Sequence, residues 1–379
     1  MQIYDGTHQT PNYIDDGIKF VSVENINNLD KTNKYISRED YEKDFKIKPE
    51  INDILMTRIG DIGTPAIINT NERYAYYVSL ALLKSNYAIL SPKFLIQRIS
   101  SEQFQHELWK RTLHVAFPKK INKNEIGECN VFIPPLPEQE KIASFLTLID
   151  KKIEKQKELI ELLKKYKRGL LSQIFSQKLR FKDDNENNYP DWEEKTLGEV
   201  TNNISYGLNA TAKKYDGKNK YIRITDIDET TGKYNKIDIV SPDCDLSDEY
   251  KLKINDLLFA RTGASTGKTY LYDENDGEMY FAGFLIKFSI KEEYCSDFVF
   301  YITQTYNYKK WVSIMSARSG QPGINAKEYS KYKFFCPVLE EQVKISNIIS
   351  KLDNIIEKEN LQLNLYNDYK KGLLQQMFI

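Results

Sequence analysis

The sequence is short of the residues that build metal and redox centres. Its 379 residues include 3 histidines and 4 cysteines, and Cys129, Cys244, Cys295 and Cys336 fall at no paired spacing. A zinc site is therefore not expected, and the cysteines are read as reduced core thiols. No run of about 18 apolar residues occurs, and no basic stretch followed by an apolar one stands at the amino terminus. Neither a membrane span nor a secretion signal is expected, and the chain is assigned to the cytoplasm. A net charge of one sign is also lacking, because 54 basic and 54 acidic side chains cancel. The balance is uneven along the chain: residues 138–182 hold 12 Lys/Arg against 6 Asp/Glu, and residues 183–336 hold 20 against 25. A domain that gripped nucleic acid by phosphate neutralisation alone would be strongly basic. Any DNA contact would then need positive charge from other subunits.

Catalytic motifs are missing as well. Residues 263–269, Gly-Ala-Ser-Thr-Gly-Lys-Thr, are one residue short of the phosphate-loop spacing, and Tyr270-Leu-Tyr272 follows where a helix should begin. The matching stretch of the first half, Gly60-Asp-Ile-Gly63-Thr-Pro65, has no lysine. Asp191, Glu193 and Lys195 have the residue types of a metal-dependent nuclease, but they crowd around Trp192 and read as a surface turn. Ile133-Pro-Pro135-Leu136 lacks the amide and the aromatic of an amino-methyltransferase motif. No catalytic residue, metal ligand or bound cofactor is assigned to this chain.

What the sequence does contain is a copy of itself. Residues 51–60, Ile-Asn-Asp-Ile-Leu-Met-Thr-Arg-Ile-Gly, match residues 254–263, Ile-Asn-Asp-Leu-Leu-Phe-Ala-Arg-Thr-Gly, at an offset of 203. The same offset relates Ile121-Asn122 to Ile324-Asn325, Glu138-Gln139 to Glu341-Gln342, Asp150 to Asp353, and Gly169-Leu-Leu171 to Gly372-Leu-Leu374. A tandem duplication suits a partner that presents two sites.

Each repeat divides into a mixed, aromatic-rich part and a long helix. Residues 138–175 contain no proline, and apolar residues recur at alternating steps of three and four. The seam is Ile142, Leu146, Ile149, Ile153, Ile160, Leu163, Leu170 and Ile174, interrupted by Gln156 and Lys167. In the second repeat it is Ile345, Ile349, Leu352, Ile356, Leu363, Tyr366, Leu373 and Met377, interrupted at the same steps by Glu359 and Lys370. Polar residues at fixed seam positions are how paired helices specify register, so the two helices are expected to pack on each other. At about 1.5 Å per residue each would run roughly 57 Å, the length of a spacer. Proline precedes and carboxylates occupy the first turn of both, in Pro134-Pro-Leu-Pro137-Glu-Gln-Glu and Cys336-Pro-Val-Leu-Glu-Glu-Gln.

The resulting organisation is a first globular domain at 1–133, a spacer helix at 134–181, a polar linker at 182–189, a second globular domain at 190–336 and a second spacer helix at 337–379. The globular parts are expected to be α+β, with strands at 18–23, 67–68, 74–83, 221–224 and 284–290 and helices at 92–109 and 295–312. The second unit opens with Trp192-Glu-Glu-Lys-Thr-Leu-Gly198, whose equivalent would fall before Met1. The first unit is therefore expected to lack its opening segment.

The retained arginines Arg58 and Arg261 have two readings. They either hold a hairpin from inside or stand at a loop tip to meet a phosphate or a guanine edge. Divergent polar segments are the other base-reading candidates: Thr7, His8, Gln9, Thr10 and Asn12 with Lys119 and Lys120 in the first unit, and Asn209, Thr211, Lys213, Lys214, Lys268, Arg318 and Gln321 in the second. The basic run Lys164-Lys165-Tyr166-Lys167-Arg168 reads first as a solvated helix face.

Together, Pro135-Leu-Pro-Glu-Gln-Glu-Lys-Ile142, Gly169-Leu-Leu-Ser-Gln-Ile-Phe175, Trp192-Glu-Glu-Lys-Thr-Leu-Gly198, the repeated Asn-Asp-Ile/Leu-Leu and Arg-x-Gly element, and Gln321-Pro-Gly-Ile-Asn325 resemble the specificity (S) subunit of type I restriction-modification enzymes. The resemblance implies an α+β fold of two target-recognition domains separated by two conserved helices in an antiparallel coiled coil. It implies a non-catalytic subunit that reads a bipartite, asymmetric DNA sequence, one half per domain. Two methyltransferase subunits carrying S-adenosylmethionine and restriction subunits using ATP and magnesium would be its partners. A coiled-coil protein scaffold without DNA specificity is the alternative.

Overall fold

In the computed structural model, which describes residues 1–317 and 321–378, the chain forms two compact units. One comprises Met1–Leu159 with Glu359–Ile379, the other Ile160–Lys358.

The first unit contains β1 (Gln2–Asp5), β2 (Ile18–Val21), β3 (Tyr35–Ile36), α1 (Arg38–Asp44), β4 (Ile54–Ile59), β5 (Asp61–Ile67), β6 (Tyr74–Tyr76), β7 (Leu80–Lys84), α2 (Pro92–Ile99), α3 (Glu102–Lys110) and α4 (Lys123–Gly127). The long helix α5 (Leu136–Phe175) follows. The second unit contains β8 (Glu193–Thr196), β9 (Thr201–Tyr206), β10 (Ala212–Lys214), β11 (Lys220–Ile222), β12 (Val240–Pro242), β13 (Asp256–Ala260), β14 (Thr269–Leu271), β15 (Met279–Phe281), β16 (Leu285–Ile290), α6 (Ser296–Thr303), α7 (Tyr306–Met315), α8 (Ala326–Ser330) and β17 (Lys333–Cys336). The chain closes with α9 (Leu339–Met377).

The duplication is structural. One four-stranded sheet has the order β1-β7-β4-β5 and the other β9-β16-β13-β14, and each unit adds a parallel pair, β2 with β6 and β11 with β15. The central strands β4 and β13 are buried because their residues are apolar on both faces, one against the helices and one against the parallel pair. In the second unit Phe259, Phe288 and Tyr329 pack with ring centroids 4.9 to 6.4 Å apart. Each fully buried Phe contributes about 2–3 kcal/mol. Asn52 and Asn255, equivalent positions before β4 and β13, both adopt φ near +70° (73° and 70°), a turn that asparagine tolerates.

Several expected elements are divided or moved. The expected strand at 74–83 is two strands, β6 and β7, and residues 224–226 form a 3-10 turn after β11. Glu193 and Lys195 are not a surface turn. They lie on β8, which pairs antiparallel with β17, because Trp192 is buried and pins the strand from its amino end. Lys213 and Lys214 are on the exposed strand β10, paired with β12, rather than in a loop. Cys336 and Cys129 have thiol pKa values pushed up by burial, to about 12 and about 11.

The long helices pair within each unit. In the first, Gln156 donates to the Glu359 carboxylate and backbone carbonyl at 2.5 and 3.0 Å, Lys152 lies 4.5 Å over Tyr366, and Lys370 meets Asp150 at 2.5 Å. The partner number rises as the α5 number falls, so the helices run antiparallel. In the second unit Lys167 meets Asp353 at 2.5 Å. The four polar interruptions of the seam are therefore partners. Gln156 and Glu359 join each other, and the lysines reach the repeated aspartates. Of the seam residues, Leu146, Ile153, Ile160, Ile174, Ile345, Ile349, Leu352 and Ile356 are buried, and Ile142, Ile149, Leu163, Leu170, Leu363 and Leu373 are half-buried.

Those aspartates also hold the helices to the α/β body. Asp150 accepts from Gln97 at 2.7 Å, and Asp353 accepts from the Tyr301 hydroxyl at 3.1 Å. Gln139 accepts from the Ser91 amide and donates to the Pro134 carbonyl, while Gln342 accepts from the Cys295 amide and donates to the Pro337 carbonyl. Asp353→Ala, which strips Lys167 and Tyr301 of their shared acceptor, is expected to lower stability by about 2–3 kcal/mol in urea unfolding. Lys344→Ala, whose partner Asp184 is fully solvated, should change it by less than about 0.5 kcal/mol.

Candidate nucleic-acid interface

Two loops in each unit spring from the same roots. The first leaves the sheet after β1 or β9 at a glycine. A Cβ at Gly6 would collide with the Tyr76 carbonyl, and one at Gly207 with the Ala282 carbonyl, so only glycine lets the chain cross there. The next residues, Thr7 and Leu208, each form a parallel bridge, to Tyr77 and to Ala282. The second loop returns beside the tip of the central hairpin. The Gly60 amide donates to the Lys119 carbonyl and the Ile121 amide to the Arg58 carbonyl, and at the same offset Gly263 donates to Pro322 and Ile324 to Arg261.

The retained arginine sits between these roots, and the two copies use it differently. Arg58 is buried at 6% exposure, donates from Nε to the Ile121 carbonyl at 3.1 Å and forms an ion pair with Asp5. It joins the roots of both loops from inside, so its place among the DNA-contacting candidates is withdrawn for this structural reason. Arg261 is half-buried, and its guanidinium lies 5.0 Å over the ring of Tyr206, the residue that takes the place of Asp5 before the glycine. Among the described residues none accepts a hydrogen bond from the Arg261 side chain. A free planar fork held by a ring face is suited to bidentate contact with phosphate or guanine.

Around Arg261 lies a cavity of about 600 Å³, lined by Leu208, Asn209, Ala210, Tyr221, Arg223 and Phe284 among others. Tyr221 fixes its rim, donating its hydroxyl to the Leu208 carbonyl at 2.7 Å, and burial raises the pKa of that hydroxyl. Phe20 takes the place of Tyr221 in the first unit and holds the loop by packing against Tyr13, with centroids 5.6 Å apart. One position therefore anchors one loop by a hydroxyl and the other by a ring.

The remaining candidates distribute as follows. His8, Gln9 and Asn12 are exposed on the first loop and Thr7 is half-buried, its hydroxyl accepting from the Gln9 amide at 3.3 Å. Lys119 and Lys120 extend side chains into solvent from the second loop. Asn209 and Thr211 are exposed beside the cavity, Lys213 pairs with Asp243 at 3.6 Å, and Lys214 is exposed. Gln321 lies beside Gly263, while Arg318 lies outside the described residues. Lys268 is set apart from this group, in a cavity with Glu229, Thr266 and Gln304. Gly263–Ser265 is a 3-10 turn between β13 and β14 with no helix after it, which is not the geometry of a phosphate loop.

Sequence reasoning missed the aromatic and apolar members. Trp109, Val115 and Phe117 stand exposed on or before the second loop of the first unit, and in the second Phe284 lines the cavity and Tyr206 lies under Arg261. A search weighted to polar side chains passes over them. Their signal is apolar residues in a stretch without periodicity. Among the described residues, no group of three or more His, Cys, Asp or Glu side chains converges as metal ligands, and no helix is long and apolar enough to cross a membrane.

Duplicated α+β bodies that present unlike loops on alike roots define a tandem binding protein. The family model of the type I restriction modification DNA specificity domain matches residues 8–165 and 189–365, and the chain belongs to that family. It is 29% identical over 199 residues to the putative type I restriction enzyme MjaX specificity subunit of Methanocaldococcus jannaschii, covering 50% of this chain and 45% of that protein. It is 26% identical over 278 residues to the MjaVIII specificity subunit of the same organism, covering 67% and 62%. With the StySPI specificity subunit of Salmonella potsdam it shares 22% over 397 residues, covering 98% and 84%. The match thus spans about half to three fifths of the two M. jannaschii proteins. In fold, the chain is similar to the S subunit of a type I restriction-modification system from M. genitalium, with a TM-score of 0.60 and 16% identity over 100% of this chain and 93% of that one. It is also similar to a chain from a structure concerned with complex assembly and conformational transition of the type I R-M system, with a TM-score of 0.55 and 14% identity over 87% and 82%.

The two arginines should separate in stability measurements. Arg58→Ala is expected to lose about 2–4 kcal/mol, because it leaves Asp5 and the Ile121 carbonyl without their partner. Arg261→Ala should lose less than about 1 kcal/mol. Equal losses in denaturant titrations would contradict the division of roles.

Proposed function

We propose that this chain is the DNA-specificity subunit of a type I restriction-modification assembly, each α/β domain reading one half of a bipartite, asymmetric target. The observation that carries this reading is the contrast at the loops: their roots are repeated hydrogen bond for hydrogen bond, while their contents differ. Identical roots place both loops alike in their own domains. Different contents let each domain read a different half-site, so the target need not be a palindrome. In the second domain Arg261, Asn209, Thr211 and Gln321 are the base-reading set, and in the first His8, Gln9, Asn12, Lys119 and Lys120. A scaffold without DNA specificity is disfavoured, since it gives no reason to keep the roots and vary the tips.

The chain carries no chemistry of its own in this reading. Two methyltransferase subunits supply S-adenosylmethionine and modify adenine, and restriction subunits supply ATP-driven, magnesium-dependent cleavage, all in the cytoplasm. The balanced charge agrees with a DNA grip shared with these partners. A repeated pair of exposed apolar side chains offers each methyltransferase a place to dock: Leu162 and Tyr166 on α5, and Leu365 and Tyr369 on α9, each 57–63% exposed and related by the offset of 203. One turn apart on a helix, each pair forms a single patch.

Co-expression with a cognate methyltransferase should produce adenine methylation at a split motif. Exchange of residues 190–335 for the matching domain of another family member should change one half of that motif. Arg261→Ala in the complex should weaken target binding roughly 10-fold or more, while the isolated chain should show no nanomolar, sequence-specific binding. Loss of both half-sites on the single exchange would sink the modular reading. Separately, Tyr166→Asp combined with Leu162→Asp should remove one methyltransferase from the complex by light scattering without lowering the melting temperature of the chain.

A further inference from the structure

The second loop of the first unit carries bulky apolar side chains where the matching loop of the second has none. Residues 113–120 read Leu-His-Val-Ala-Phe-Pro-Lys-Lys, and residues 316–323, at the offset of 203, read Ser-Ala-Arg-Ser-Gly-Gln-Pro-Gly. Val115 and Phe117 are both fully exposed, so neither adds anything to the core of its own domain. Single apolar side chains on a surface are ordinary, but a valine and a phenylalanine this close at one loop tip form a patch.

The tip stands on a fixed base. The Leu113 amide donates to the Lys120 carbonyl and the Gly60 amide to the Lys119 carbonyl, both at 2.8 Å, which closes the loop beside the hairpin tip. His114 packs its ring on Trp109, with centroids 4.8 Å apart, and its Nε2 donates to the Trp109 carbonyl at 2.8 Å. Arg58 ties this root to Asp5, where the loop of His8, Gln9 and Asn12 begins. The charge around the tip suits an anion. Residues 109–123 hold Lys110, Arg111, Lys119, Lys120 and Lys123 and no Asp or Glu. Glu107, Glu125 and Asp5 pair with Lys110, Arg111 and Lys123, which leaves Lys119 and Lys120, next to Phe117, as the charge offered to solvent.

We infer that Phe117 is a wedge that enters the base stack of the half-site read by the first domain. Val115 packs at the edge of the parted step, and Lys119 and Lys120 meet the flanking phosphates. This rests on the DNA-specificity reading and adds to it how one half-site is chosen. Insertion must unstack one base-pair step, which is easiest at a pyrimidine–purine step. The wedge therefore selects such a step without a hydrogen bond to any base. Burial of two side chains that water surrounds in the free protein offsets the unstacking. The second domain has arginine and glutamine in the matching loop and reads base edges, so only one half of the target is deformed.

The test uses the full chain assembled with its methyltransferase subunits, on duplexes carrying its split target. In the half that survives exchange of residues 190–335, 2-aminopurine replaces each adenine in turn on either strand, apart from the adenine that is methylated. Binding should raise the fluorescence at one step of that half. Phe117→Ala should abolish the rise and weaken binding about 10-fold, with the other half and the melting temperature of the chain unchanged. Specific binding with no rise at any position would overturn the inference and leave the DNA reading standing, as would a rise that Phe117→Ala leaves unaltered at every position. Loss of a methyltransferase subunit from the Phe117→Ala assembly would also overturn it, making the tip a protein-docking surface. A wild-type assembly that binds no split target would remove the DNA reading and the wedge together.

Discussion

An aspartate that ties its own helix to two other elements governs how this protein is put together. Asp150 binds Lys370 of the opposite helix and Gln97 of α2, and Asp353 binds Lys167 and the Tyr301 hydroxyl of α6. A half-buried carboxylate must be matched by donors, and these donors come from both helices and from the α/β body. A slide of one helix past the other by a turn, about 5.4 Å, would leave each aspartate and lysine without its partner. Register between the helices and attachment to the domain are therefore set by the same side chain. The glutamine at each helix start adds a second point of attachment, in both copies.

With the helices fixed, the sheet positions the loops. The central strand ends at the retained arginine, and the strand beside the parallel pair ends at the glycine that lets the first loop cross. In the first unit that arginine is consumed by Asp5 and the Ile121 carbonyl. In the second, Tyr206 in place of Asp5 holds the guanidinium by its ring face, and among the described residues no side chain or carbonyl accepts from its donors. A single exchange of an acid for an aromatic changes a buried, ion-paired arginine into a half-buried one held by a ring face. Duplication followed by such exchanges gives two domains with one scaffold and two chemistries.

Much of this was legible in the residues. The offset of 203 identified the repeat, the seam identified the helix pair, and the interruptions at Gln156, Lys167, Glu359 and Lys370 marked where polar partners were needed. Periodicity records burial on one face, and long helices keep that face over many turns. Short strands keep no such record. The stretch at 74–83 reads as one strand because a two-strand break of three residues leaves the apolar run intact, and residues 193–195 read as a turn because their charges say nothing of a neighbouring strand 140 residues away in the chain.

Sequence by itself determined that the chain is double, that each half carries an α+β body and a long helix, and that the helices share a polar-interrupted seam. These are properties of spacing, and spacing survives without coordinates. Only the tertiary structure decided which arginine is buried and which aromatic rings stand at the loops. Those outcomes depend on residues such as Asp5 and Arg58, 53 positions apart, meeting in space. One sequence shows both residues, but the strand order that brings them together is set by the packing of the whole sheet.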